Sequence, residues 1–147
     1  MGIKFAFALN NDHVFEKRHF GEADIFAIYR HAGNHLKLLE KFQNPHQNMD
    51  ENAQHGSAQK GLAITKTLKE KEVKVIVSRQ FGKNIRIINQ NFIPVIIEEK
   101  KPEDVIDILE KHLKWLEDEL ENKSGNYMLF RIKNGILKSQ INPNCPE

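Results

Sequence analysis

"GSAQKGLAITKTLKEKEVKVIVSRQFGKNIRIINQNFIPVII", residues 56–97, sets two helical patterns against two short β-branched runs, and that alternation decides the fold. Residues 56–71 read as a helix with Ala58, Leu62 and Thr65 as its buried stripe. "VKVIVS", residues 73–78, reads as a short buried strand. "FGKNIRIINQN", residues 81–91, reads as a two-turn helix packed through Ile85 and Ile88, with Asn91 as a left-handed stop. "FIPVII", residues 92–97, is the next strand, and Pro94, which has no N–H for a ladder, predicts it at a sheet edge. Strands separated by helices of this length belong to an α/β sheet with parallel neighbours.

Working outward, "IKFAFAL", residues 3–9, places Ile3, Phe5, Phe7 and Leu9 on one face and Ala6 and Ala8 on the other. A strand apolar on both faces belongs in the middle of a covered sheet. A polar loop, 10–21, leads to "DIFAIYR" (24–30) and "LKLLEKF" (36–42), a hairpin joined across "HAGNH". Residues 44–55 carry no periodicity and read as a surface loop. Downstream, Pro102, Glu103 and Asp104 open a long helix whose stripe is Val105, Leu109, His112, Leu116 and Leu120, reinforced by Leu113. Gly125 is its expected end, and Asn134-Gly135 predicts a hairpin over 126–141 before a frayed tail.

Three meandering strands followed by alternating helices and strands, with right-handed crossovers, give a mixed five-stranded sheet of order 3-2-1-4-5. The expected class is α/β with helices on both faces, as in ribonuclease-H-like folds. Residues 1–121 form the expected domain, and residues 122–147 a C-terminal β-hairpin extension and tail.

The bulk numbers exclude several roles. At 147 residues one domain buries roughly 70% of its unfolded surface and needs no disulfide or structural metal. A formal charge of +2 does not argue for nucleic acid, and no apolar run approaches the roughly 18 residues of a membrane span. The opening residues read as a strand rather than a leader, and Ala6 stands where myristoylation wants Ser or Thr. One cysteine, Cys145, suits a reducing, cytoplasmic compartment.

In the 3-2-1-4-5 order, the connections diverge between strands one and four, where ligands of open α/β sheets bind. Three segments gather there: the loop ending in His19-Phe20-Gly21, the start of the helix at His55-Gly56, and residues 78–84 with Gly82, Lys83 and Asn84. His19 suits a metal or an anion; equally, it could cap a turn while Gly21 relieves strain and Phe20 packs. His55-Gly56 and Lys83 lie at expected helix starts, which attract anions, though plain capping explains them too. His31 and His35 flank a surface hairpin, and His46 and His55 lack zinc spacing. The carboxylates of a two-metal nuclease are absent: Asp12 and Asp24 flank strands, while Asp104 and Asp107 suit a helix start. Cys145 has no positioned base.

"IKFAFALNND", "HFGEADIFAIY", "HGSAQKGLAITKTLKEKEVKVIVSRQFGKNI" and "FIPVII", in this order, resemble the dinitrogenase iron–molybdenum cofactor biosynthesis family of NifX-, NafY- and NifB C-terminal-like domains. The resemblance covers about residues 3–115. His19 stands at the family's His-Phe-Gly position, and Gly82 at the glycine of its Phe-Gly turn, followed here by Lys83. The resemblance implies a non-catalytic protein that binds or carries an iron–sulfur or iron–molybdenum-type cluster, transiently, between a donor and an acceptor protein. The expected contacts are His19, Phe20, Gly21, His55, Gly56, Gly82, Lys83 and Asn84, with His19 and His55 as metal ligands. The alternative is an interaction or regulatory module with a vestigial cleft. A homodimer through the last helix or the C-terminal hairpin is a further expectation.

Overall fold

β1 (Lys4–Leu9) is buried on both faces, as its double apolar pattern requires, and lies inside the sheet. The computed structural model describes residues 2–47, 56–132 and 136–139. β1 pairs antiparallel with β2 (Ile25–Ala32), which pairs antiparallel with β3 (His35–Gln43). On its other side β1 runs parallel to β4 (Val75–Ser78), and β4 runs parallel to β5 (Ile93–Ile97). The expected order 3-2-1-4-5 is present. It continues, however, into β6 (Leu129–Ile132), parallel to β5, and β7 (Ile136–Ser139), antiparallel to β6. The sheet of the described residues is therefore seven-stranded, not five-stranded, in the order β3-β2-β1-β4-β5-β6-β7.

Alternation along each strand divides the core in two. Phe5, Phe7 and Leu9 of β1 join Val75, Val77 and Val95 on one face, under α3 (Pro102–Lys111) and α4 (Leu113–Asn122). Ala6 and Ala8 join Ile76 and Ile96 on the other, under α1 (Gly56–Glu70) and α2 (Ile85–Asn91). Helices thus cover both faces. Each buried Phe, Leu, Ile or Val stabilises the fold by about 1.5–3 kcal/mol, so this alternation is the main determinant of the layering.

Several expectations change. The expected stripe of α1 holds at Thr65 but not at Leu62, which is 57% exposed; the other buried positions are Lys60, Gly61, Ile64 and Leu68. Ile64 and Leu68 set the rotation of the helix, and the aliphatic stem of Lys60 behaves as the apolar residue one turn earlier. The side chain of Ala58 lies outside the described residues.

Pro94 does not mark an edge, because β5 lies between β4 and β6. The N–H of Ile93 donates to the carbonyl of Lys74 on the β4 side, so the nitrogen of Pro94 faces the opposite side. There the β6 ladder begins only at Val95↔Phe130, one residue later. Proline is tolerated just before pairing starts.

The long helix is broken. His112 (φ −124°, ψ 22°) separates α3 from α4, and its Nδ1–H donates to the carbonyl of Ile108 at 2.9 Å. In an unbroken helix that carbonyl would take the backbone N–H of residue 112, which instead donates to Leu109 at 3.1 Å. The side chain replaces the missing helical bond. α4 ends at Asn122, ahead of Gly125, and Asn91 is the last residue of α2 rather than a left-handed stop. Asn134-Gly135 and Cys145 lie outside the described residues.

Candidate functional site

The carboxyl ends of β1 and β4 release two loops that meet. Phe20 N–H donates to the carbonyl of Gln80 at 2.9 Å, and Gln80 Nε2 donates to the carbonyl of Lys17 at 2.8 Å. Beneath this junction the rings of Phe20 and Phe81 pack with centroids 5.7 Å apart. The buried aromatic pair anchors both loops to the core, while His19 and Gln80, which precede the two rings, stay exposed.

His19 caps the 3₁₀ turn Phe20–Glu22, and Gly82 opens the 3₁₀ turn Gly82–Asn84. The imidazole of His19 sits over the Cα of Gly82: a Cβ there would lie 2.5 Å from Nδ1, 2.7 Å from Cε1 and 2.8 Å from Cγ. Gly82 also has φ +70°, so glycine is required twice, by conformation and by space. The three nearly equal distances show that the flat face of the ring lies against Gly82. His19 is exposed and borders a depression of ≈ 530 Å³ together with Lys17, Arg18, Glu22 and Gln80.

The loop that carries His19 is held by charge. Glu16 is buried and accepts Arg18 Nη2 at 2.8 Å and the Arg18 backbone N–H at 3.1 Å. The hydrogen bond from the Arg18 side chain holds the Glu16 carboxyl below the usual glutamate value of 4.5, against the upward pull of burial. Arg18 Nη2 also donates to the carbonyl of Glu22 at 3.2 Å. From α1, Lys60 lays its stem on Gly21, whose Cβ would be 3.5 Å from Lys60 Cε. Lys60 Nζ reaches Glu22 Oε1 at 3.3 Å and the carbonyl of Gln47 at 3.0 Å. Asn44 Nδ2 completes the stitching to the carbonyls of Gly21 (3.0 Å) and Ala23 (2.9 Å).

Of the expected contacts, His19, Phe20, Gly21 and Gly82 come together. Asn84 is buried against Gly61, whose Cβ would fall 2.8 Å from Asn84 Cγ, so it packs α1 onto the Gly82 turn. Lys83 is exposed on that turn, but α2 spans only seven residues and its dipole is correspondingly small. Gly56 opens α1, and His55 lies outside the described residues. Among the described residues no three His, Cys, Asp or Glu side chains are grouped to hold a metal ion. His31 and His35 do not face one another: His31 turns to the carbonyl of Gly33, and His35 lies 3.6 Å from Glu110. Asp24, one of the nuclease candidates, accepts the Asn11 N–H at 3.0 Å and Gln47 Nε2.

Sequence reasoning missed Lys60, Glu22 and Gln80. A usable signal existed for Lys60, which precedes Ile64 and Leu68 at intervals of four on the buried stripe. Chemically, the site offers an exposed imidazole at a depression it shares with Lys17, Arg18, Glu22 and Gln80. A second depression, ≈ 540 Å³ around Lys4 and Arg30, lies at the opposite end of β1 and shares none of these residues.

Comparison with known proteins bears on the fold and the family of the chain. A crystal structure from Methanocaldococcus jannaschii, provisionally named a dinitrogenase, is similar in fold, with a TM-score of 0.53 at 15% identity. The similarity covers 76% of this chain and 91% of that one. No curated protein matches. No helix among the described residues is long and apolar enough to cross a membrane. The family model described as dinitrogenase iron–molybdenum cofactor matches residues 1–114, and the chain belongs to that family.

Proposed function

We propose that the chain is a non-catalytic carrier that holds an anionic metallocluster of the iron–sulfur or iron–molybdenum type as transient cargo. The observation that carries this reading is the exposed His19 ring, seated on Gly82 at the depression it shares with Lys17 and Arg18. An imidazole without a thiolate beside it holds such cargo at one point, which suits release to an acceptor protein. His55 is the second proposed metal contact, and Gly56, Lys83 and Asn84 complete the proposed surround. The meander β1-β2-β3 beside parallel β4 and β5 supports a ribonuclease-H-like ancestry, and the single cysteine supports a cytoplasmic location.

The test is anaerobic titration with isolated iron–molybdenum cofactor, read as protein-bound molybdenum after gel filtration. Wild type retains the cofactor. His19→Ala weakens retention by more than about 100-fold, beyond the usual loss from an outer-shell partner. Equal retention by the two proteins would sink the proposal.

A further inference from the structure

Lys60 is an unusual residue for the buried side of a helix that packs through Ile64 and Leu68. It is 1% exposed, yet it carries an ammonium group. A buried cation persists only where its partners are fixed, so its contacts indicate what it holds. Two of those contacts fall on the Phe20–Glu22 turn. The stem lies on Gly21, and Nζ reaches the Glu22 carboxylate and the Gln47 carbonyl. Glu22 closes the 3₁₀ turn that His19 opens, since Glu22 N–H donates to the His19 carbonyl at 2.8 Å. The same turn is tied to the Gly82 loop through Phe20 N–H and the Gln80 carbonyl.

We infer that Lys60 is a positioning residue for the His19 ring. By clamping Glu22 from below, it fixes the turn that sets the imidazole over Gly82. It has a second electrostatic effect. Glu22 borders the depression, and its negative charge would oppose an anionic cargo; the buried ammonium offsets it at 3.3 Å. The functional part of this inference rests on the carrier reading above, whereas the positioning part is measurable without any cargo.

The experiment uses the full chain and three substitutions. Lys60→Met keeps the stem on Gly21 and removes the charge. Glu22→Gln removes the carboxylate's charge from the other side of the pair, at a partly exposed position. Lys66→Met is an exposed control on the same helix. Proton NMR of the cargo-free proteins reads the ring-current shift of the Gly82 Hα protons, which exists because the His19 ring sits over them. The expected result is that Lys60→Met and Glu22→Gln move the Gly82 signals toward ordinary glycine values, while Lys66→Met leaves them in place. Gly82 signals at wild-type positions in either Lys60→Met or Glu22→Gln overturn the inference. Glu22 also pairs with Arg18 Nη1 at 3.6 Å, so if Lys60→Met fails to fold, Glu22→Gln is read beside Arg18→Gln: Gly82 signals moved by the first and not the second uphold the inference, and signals moved equally by both overturn it.

The same proteins are then titrated with isolated iron–molybdenum cofactor. Lys60→Met is expected to bind about tenfold more weakly, the range of an outer-shell partner. A wild type that binds no cofactor overturns the carrier reading while the Gly82 signals still judge Lys60. Cofactor binding that depends on His19, with unmoved Gly82 signals in Lys60→Met, leaves the carrier reading and removes Lys60 from it.

Discussion

Gly82 carries two constraints that no other residue type meets. Its φ of +70° costs an L-residue about 1–2 kcal/mol, and its Cα faces the His19 ring. Gly82→Ala should therefore destabilise the protein by about 1–2 kcal/mol in urea unfolding and also displace His19. A loss of stability with the ring still over residue 82 would show that only the backbone matters. Glu16 supplies a pH-dependent counterpart. Because Arg18 lowers its folded pKa, its stabilisation is complete above the unfolded value near 4.5 and is lost as the pH falls through the lower folded value. The melting-temperature gap between wild type and Glu16→Gln should be full near neutrality and shrink only in that acid window. At this scale His19 and Gly82 were legible, because a glycine at a strand-to-helix turn and a histidine ahead of Gly21 are local signals. Lys60 was partly legible, from its place four residues before Ile64 on the buried stripe, but nothing local in the sequence showed that it would reach Glu22 under the loop.

Elements follow backbone rules that the residue types only partly reveal. Short continuous apolar runs identified β1, β2, β4 and β5, which are buried on both faces of the sheet. Pro94 misled because the rule concerns a pairing side, not a strand: its nitrogen faces the stretch of β5 where β6 has not yet begun. Pro94→Ala should change stability by less than about 1 kcal/mol. Ile96 has the same orientation two residues on, opposite Arg131, inside the formed ladder. Ile96→Pro should cost about 3 kcal/mol or more through the lost bond and the unpaired carbonyl, measured as a lower denaturant midpoint. Comparable losses in the two variants would refute this account of the strand. His112 shows the opposite limit. The apolar stripe runs through it without a break, so periodicity alone reads one helix where a side-chain hydrogen bond to Ile108 separates two.

Across the whole molecule, the family match stops at residue 114, inside α4, while the sheet runs on through β6. The C-terminal hairpin was legible from its turn residues. Its place was not, because that depends on a β5-to-β6 crossover rather than on any local pattern. Leu116, Leu129, Phe130 and Ile132 are all buried. At about 1.5–3 kcal/mol each, they rival the about 5–15 kcal/mol of a whole domain's stability. A fragment of residues 1–114 should accordingly lack a cooperative thermal transition; a fragment that melts cooperatively would make the hairpin dispensable. The opposite margin of the sheet has a different consequence. β3 presents a nine-residue outer edge with half-exposed Leu38 and Leu39, a template on which another molecule could add a strand. Its register shifts opposite Ile28 and Tyr29, and Lys37, Glu40 and Lys41 stand exposed along it. An incoming strand would meet a step in the hydrogen-bonding comb among charges, so this irregularity protects against aggregation at high concentration.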